Sequence, residues 1–279
     1  MNEKISREQI VFFSLKAGLE AANILLKYYD ALKSYEIELK SDGSPVTIAD
    51  NESDGKIREL LAPSGIYIIS EETEVSEERL SQELVWLVDP LDGTKEFIKK
   101  NGEFSVNIAL VRNTRPYFGL IIAPAKGLIC YGFADDKPLF GKIKTEEFMG
   151  IEVDQILSLC KPIQSSLQKR NEVTKIGSRS HADPKEQDLI NCWLPNKTIE
   201  SSIQVGSALK FITMAFGTAD IYLRTTPTME WDTAAGHALL LGCGGNIFDL
   251  NSKRPLVYNK TNLLNPGFVA LRDADFQSL

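Results

Sequence analysis

The chain has 279 residues, 43% hydrophobic and 25% charged, the make-up of an ordinary globular protein able to bury a large core. A net charge of −7 and the lack of a basic run argue against a nucleic-acid polymer as partner, because a phosphate backbone is held by clustered Lys and Arg. The cysteines Cys130, Cys160, Cys192 and Cys243 are scattered without a C-x-x-C pair, so neither a zinc site nor a disulfide framework is indicated and a reducing cytoplasm is the default.

In chain order, residues 6–33 read as an amphipathic helix. Its apolar run Ile10-Val11-Phe12-Phe13-Ser14-Leu15 is broken by Lys16 and Glu20, which suits neither a signal peptide nor a membrane span. A strand over Ile37-Glu38-Leu39-Lys40 and a turn over Ser41-Asp42-Gly43-Ser44-Pro45 lead into a helix over 46–61. Strands follow around 66–70, 84–88, 104–112, 117–123 and 128–133, with Pro124 and Lys126-Gly127 marking the hairpin between the last two. After about residue 140 strands and helices alternate: strand 173–177, helix 183–191, helix 206–216, strand 219–224, helix 232–243 and strand 268–272. That pattern suggests an α+β half over 1–140 and an α/β half over 141–279. No Pro/Gly/Ser linker divides them, so they pack together with a site in the cleft.

The most informative stretch is Asp89-Pro90-Leu91-Asp92-Gly93-Thr94, which follows the apolar strand Leu84-Val85-Trp86-Leu87-Val88. Pro90 fixes one backbone dihedral between two carboxylates and Gly93 permits the turn after them. Carboxylates held this close repel each other unless a divalent cation neutralises them. Thr94 opens a short helix whose free N–H groups suit a phosphate. Upstream, Ile66-Tyr67-Ile68-Ile69 ends in Ser70-Glu71-Glu72, a carboxylate placed to reach a metal held by a neighbouring strand. Downstream, Glu230-Trp231-Asp232-Thr233-Ala234-Ala235-Gly236 puts Asp232 where a helix N-cap belongs, and small residues let that helix pack closely. Taken singly, these also read as an acidic turn, a solvated acidic loop and a capping Asp.

Taken together and in this order, the three segments resemble the lithium-sensitive, magnesium-dependent phosphatases of the inositol monophosphatase superfamily. The likeness extends from Asp50 to Phe268. The strings at 86–110, 178–183 (SRSHAD), 231–238 (WDTAAGHA) and 264–268 (LNPGF) resemble its bacterial 3′(2′),5′-bisphosphate nucleotidase branch in particular. The resemblance implies a layered α-β-α-β-α sandwich, and two or three Mg2+ held by Glu71, Asp89, Asp92, Asp232 and the Leu91 carbonyl. It further implies that Asp50 hydrogen-bonds Thr94, that Thr94 with Glu71 activates a water, and that the Gly93 and Thr94 amides hold the phosphate.

By the same resemblance His181, Ser207, Lys210 and Arg224 bind the nucleotide. A cation pair such as Lys210 and Arg224 suits a substrate with a second phosphate. Ser207 and Lys210, three apart, would share one helix face. The expected reaction is hydrolysis of the 3′-phosphate of adenosine 3′,5′-bisphosphate to AMP and phosphate, clearing a by-product of sulfate activation, with lithium competing at one magnesium site. An inositol or general sugar-phosphate phosphatase would carry the same metals and a different pocket. A non-catalytic nucleotide sensor on the same fold is disfavoured, because Asp50, Glu71, Asp89, Asp92, Thr94 and Asp232 are all present. The implied location is the cytoplasm, with peripheral association at the inner membrane allowed, as a monomer or homodimer.

Overall fold

Helix α1 (Arg7–Ala31) buries Leu15, Leu19, Ala22, Leu25 and Tyr29 along one side, the i, i+3/i+4 spacing of a core-facing stripe. The computed structural model describes residues 5–31, 45–164, 172–177, 186–195 and 197–273. The expected strand at 37–40, the turn residues 41–44 and the SRSHAD segment with His181 lie outside them. Among the described residues α1 is the one helix long and apolar enough to cross a membrane, yet 56% of its apolar window is buried inside the protein. Its apolar face is explained by packing.

Helix α1 pairs with α2 (Pro45–Leu61), which starts with a proline where the first-turn N–H has no partner to lose. Both lie on a seven-stranded sheet. Its strands, in spatial as in chain order, are β1 (Tyr67–Ser70), β2 (Leu84–Asp92), β3 (Ser105–Arg112), β4 (Arg115–Ala123), β5 (Leu128–Phe133), β6 (Leu139–Lys142) and β7 (Lys161–Pro162). Only β1 and β2 run parallel. The short helices α3 (Thr94–Ile98), α4 (Thr145–Phe148) and α5 (Val153–Leu159) fill connections. A second sheet has the order β12-β14-β10-β8-β9, from β8 (Glu172–Gly177), β9 (Thr198–Gln204), β10 (Ile221–Arg224), β12 (Asn246–Asp249) and β14 (Phe268–Leu271). A small ladder joins β11 (Thr228–Met229) to β13 (Leu264–Asn265). The remaining helices are α6 (Glu186–Trp193), α7 (Leu209–Ala215) and α8 (Ala234–Gly242).

Strand alternation sorts the cores. Trp86 and Val88 face α1 and α2, whereas Val85 and Leu87 face the middle of the molecule. There α7 and α8 lie between the sheets, with Phe211, Ala235 and Leu239 packed among Leu87, Ile121, Tyr222 and Phe268. Beyond the second sheet, Ile190 and Trp193 of α6 cover Val173, Leu223 and Val269. The layers are therefore α, β, α, β, α, the sandwich that the family resemblance implied.

The first turn of α8 approaches β4 so closely that a Cβ on Gly119 would meet the Ala235 carbonyl. A Cβ on Gly236 would overlap the Phe211 ring. The small residues Ala234-Ala235-Gly236 serve the tight packing expected of them. Several elements escaped the sequence reading: β6, β7, β9, β12 and the helices α4 and α5 are short or half-exposed, so their apolar periodicity is weak.

Candidate active site

Parallel pairing of β1 with β2 puts Ser70 opposite Val88, and Glu71 continues by donating its backbone N–H to the Val88 carbonyl at 3.2 Å. Glu71 therefore sits beside Asp89. Strand β2 does not end at Val88 as its apolar run suggested. Asp89 pairs with Asn107 and Asp92 with Ser105, so Pro90 and Leu91 stand against Val106 alone in a bulge. A proline suits that place because it has no N–H to leave unpaired. The bulge turns the strand end, and the Leu91 N–H donates back to Asp89 Oδ1 at 3.0 Å. Gly93 follows with φ +89°, where a Cβ would come within 3.0 Å of the Glu103 carbonyl.

Asp232 reaches the same place from the other half of the chain. It is not the N-cap of α8: it closes a 3-10 turn over Glu230–Asp232, and its Oδ2 accepts the Met229 N–H at 2.8 Å. Thr233 takes the cap position. The amide entering the 3-10 turn also needs an acceptor, and Asp232 serves that one. One carboxylate oxygen each from Glu71, Asp89 and Asp232 lies within 4.8 Å of the others. Three hard oxygen donors around one point fit a magnesium ion.

Asp92 stands outside that trio and is held differently. Its Oδ2 accepts the Ser207 hydroxyl at 2.6 Å, the Ala208 N–H at 2.6 Å and the Asn107 amide at 3.4 Å. Ser207 is not on the helix face shared with Lys210, since α7 begins at Leu209 and Ser207 has φ +54°. Lys210 is buried, and its ammonium donates to the Ser207 carbonyl at 2.7 Å and the Val205 carbonyl at 3.4 Å, with the Tyr222 ring 5.2 Å away. Arg224 ends β10, and its Nε is buried without a hydrogen-bond partner among the described residues. Asp92, Gly93, Ser207, Lys210, Arg224 and Asp232 line one cleft. The Thr94 hydroxyl lies 3.5 Å from the Leu91 carbonyl. Among the described residues no hydrogen bond joins it to Asp50, whose Oδ1 is buried and unpartnered.

A sequence profile described as the inositol monophosphatase family matches residues 6–273. The chain belongs to that family. It is 38% identical over 253 residues to the 3′(2′),5′-bisphosphate nucleotidase CysQ of Shigella flexneri, covering 89% of this chain and 94% of the relative. To the protein of that name in Escherichia coli strain K12 it is 36% identical over 252 residues, again with 89% and 94% covered. Among solved structures it is similar to CysQ from Bacteroides thetaiotaomicron, with TM-score 0.81 at 33% identity over 95% of this chain and 97% of the other. An inositol monophosphatase from Zymomonas mobilis shares the fold at 22% identity, with TM-score 0.73 over 99% of this chain and all of the other.

Enzymes of the inositol monophosphatase family depend on a metal, generally magnesium, and the electrostatics of this member are those of a site built for one. Burial, then Asp92, Glu71, Asp232 and Asp50, push the Asp89 carboxyl well above the usual carboxylate range. Burial and the Asp92 charge raise Asp232 to about 7. Asp50 rises to about 8 through burial and the neighbouring Glu72, Glu71 and Asp54. Glu71 is more open, but protein crowding around its carboxyl and repulsion from Glu72 and Asp92 raise it too. Clustered acids without a counter-charge hold protons that a divalent ion would displace.

The sequence reading missed the residues behind the site. Ser105 Oγ lies 2.6 Å from Ser207 Oγ and 2.9 Å from Asn107 Oδ1, while Glu103 accepts the Gly206 N–H at 2.9 Å. A signal was present: Glu103, Ser105 and Asn107 are polar at every second position of an otherwise apolar strand, so one face of β3 turns polar at its start. Tyr222 and Phe268 line the cleft as well, from neighbouring strands.

Proposed function

We propose that this enzyme hydrolyses the 3′-phosphate of adenosine 3′,5′-bisphosphate, giving AMP and phosphate, with magnesium as its metal. The observation that carries the reading is one cleft lined by the carboxylates Asp92 and Asp232 and by the cations Lys95, Lys210 and Arg224, the last with an Nε that is buried and, among the described residues, unpartnered. A guanidinium N–H in that condition suits a phosphate oxygen. Relatives named as bisphosphate nucleotidases at 36% and 38% identity over most of both chains support the same substrate.

Glu71, Asp89 and Asp232 would hold one ion, and Asp92 with the Leu91 carbonyl would complete a second position. When bound, magnesium supplies a Lewis acid for the phosphoryl oxygens and lowers the pKa of water. The chain's own groups do the rest. The Gly93 and Thr94 amides hold the phosphoryl group in line, and Glu71 and the Thr94 hydroxyl orient the attacking water. Arg224 and Lys210 grip the phosphate that stays. The reading carries a cytoplasmic location.

The test is phosphate release with magnesium from adenosine 3′,5′-bisphosphate and from myo-inositol 1-phosphate, for wild type and Arg224→Gln. The nucleotide is preferred by wild type, and Arg224→Gln loses most of that preference through KM. Equal or better turnover of inositol phosphate would remove the nucleotide assignment and leave the metal site.

A further inference from the structure

We infer that Asn265 is a positioning residue for Asp232: its side-chain amide ties together the two ends of the turn that carries this carboxylate, and magnesium affinity depends on that tie. The inference rests on the reading that Asp232 is a magnesium ligand. Asn265 belongs to the string LNPGF, of which only Phe268 reaches the wall of the cleft. Its own side chain is 1% exposed and lies behind that wall.

The partners of the amide fix its orientation. Asn265 Oδ1 lies 3.3 Å from the Lys260 ammonium, a group that can only donate. The oxygen must face it, and the NH2 group then faces the Met229 carbonyl at 2.8 Å and the Thr233 hydroxyl oxygen at 2.9 Å, with the Thr228 hydroxyl at 3.3 Å. Met229 stands just before the 3-10 turn over Glu230–Asp232, and Thr233 just after it. One planar group therefore spans the turn. A side-chain amide alone offers two donors and an acceptor in that arrangement.

The ladder beneath the turn is too short to hold it unaided. Strands β11 and β13 make two residue pairs, Thr228 with Asn265 and Met229 with Leu264, and a ladder of that length is marginal by itself. The Thr233 hydroxyl, although at the N-cap of α8, makes no capping hydrogen bond. It is engaged by Asn265 and, at 3.3 Å each, by the Tyr258 hydroxyl and the Glu230 carbonyl. Asp232 is fixed through Met229 as well, since its Oδ2 accepts the Met229 N–H at 2.8 Å while Asn265 holds the Met229 carbonyl. Freeing that carbonyl shifts the donor to which Asp232 is fastened, and magnesium tolerates little departure from octahedral geometry.

The experiment compares wild type with Asn265→Asp, Asn265→Ala and a control, Ile156→Val, which trims a fully buried side chain in the separate core beneath α1. Magnesium affinity is measured without substrate by calorimetric titration, beside the unfolding temperature in EDTA. KM for adenosine 3′,5′-bisphosphate is measured at saturating magnesium. Both Asn265 variants are expected to bind magnesium about 10-fold more weakly, the scale seen when a ligand's supporting hydrogen bond is removed, with KM changed by less than about twofold. Ile156→Val is expected to lose thermal stability and keep wild-type magnesium affinity. Asn265→Asp retains the shape of the native side chain without its donors, so it decides the question if Asn265→Ala does not fold. Unchanged magnesium affinity in Asn265→Asp would overturn the inference, as would an equal loss of affinity in Ile156→Val or a failure of both Asn265 variants to fold. A wild-type preference for inositol phosphate would sink the nucleotide reading while leaving the metal titrations to support this one. Wild-type protein that binds no magnesium overturns both this inference and the metal reading.

Discussion

Lys260 donates its ammonium to Glu230 at 2.5 Å, inside the protein and two residues before Asp232. Glu230 is fully buried and also accepts the N–H groups of Asn259 and Lys260. Asn259 in turn exchanges hydrogen bonds with Arg79, at 2.7 and 2.8 Å. Two loops distant in sequence are thereby fastened to the turn that presents Asp232. Lys260→Met leaves Glu230 buried with its charge less compensated. Because the Lys260 side chain is about a quarter exposed, the expected loss is about 2 kcal/mol, below the full cost of breaking a buried pair. Urea unfolding in EDTA measures it, and a loss under about 0.5 kcal/mol would show the pair to behave like a surface one.

Gly119 sets the seat of α8 on β4. Alanine there would drive its methyl into the Ala235 carbonyl, which is backbone and cannot swing aside. Gly119→Ala should destabilise by about 3 kcal/mol, the upper range of overpacking, and should weaken activity by displacing Asp232. Thermal unfolding with a paired activity assay reads both, and a variant as stable and active as wild type would contradict the close approach.

The crowded carboxylates predict opposed effects of Asp89→Asn. Asn removes a carboxyl that burial and its neighbours keep from ionising, which should leave the metal-free protein as stable as wild type or more so, while phosphatase activity falls by 1,000-fold or more, roughly the scale of losing a principal catalytic electrostatic group. Thermal unfolding in EDTA beside an initial-rate assay tests the pair. A variant destabilised without metal would mean that Asp89 is not under repulsion.

A pH dependence follows with a definite sign. In the metal-free protein Asp232 titrates near 7 and Asp50 near 8, whereas an unfolded Asp titrates near 3.8. Between those limits the folded chain holds protons that the unfolded chain has lost, so this contribution to stability is present at low pH and fades as pH rises through 7 to 8. Magnesium must displace those protons, and the thermal shift it produces should be larger at about pH 8 than at about pH 5.5. Equal shifts at both would show the carboxyls to be ionised already.

His237 works in the opposite direction. Both ring nitrogens are engaged, Nδ1 with the Tyr258 hydroxyl at 2.9 Å and Nε2 with Asn246 Oδ1 at 2.7 Å. Burial lowers its pKa from 6.5 to about 4. The unfolded chain takes up a proton first, so stability is lost as pH falls from 6.5 towards 4, by up to about 3 kcal/mol at ~1.4 kcal/mol per pH unit. The chain has two histidines, so an NMR titration resolves them readily. A His237 midpoint above about 6 would end the argument.

Much of this was legible in one dimension. Glu71 beside Asp89 followed from two short apolar runs that each end in acids, since parallel neighbours bring their C-terminal ends together. The glycine after Asp92 and the small residues after Asp232 announced a sharp turn and a close helix, as Gly93 and the Gly119–Ala235 contact show. Such features are local, set by backbone sterics and by side-chain period, and a sequence carries them directly.

What the sequence determined by itself was the donor chemistry: which acids stand at strand ends, which helix is amphipathic, and where the chain turns. The tertiary structure alone decided how those acids are used. Whether Asp232 comes beside Glu71 and Asp89, and whether Asp92 meets the Ser207 hydroxyl, depends on which segments distant in sequence arrive at one place. A hydroxyl has one proton to give, and only the folded chain fixes where it goes.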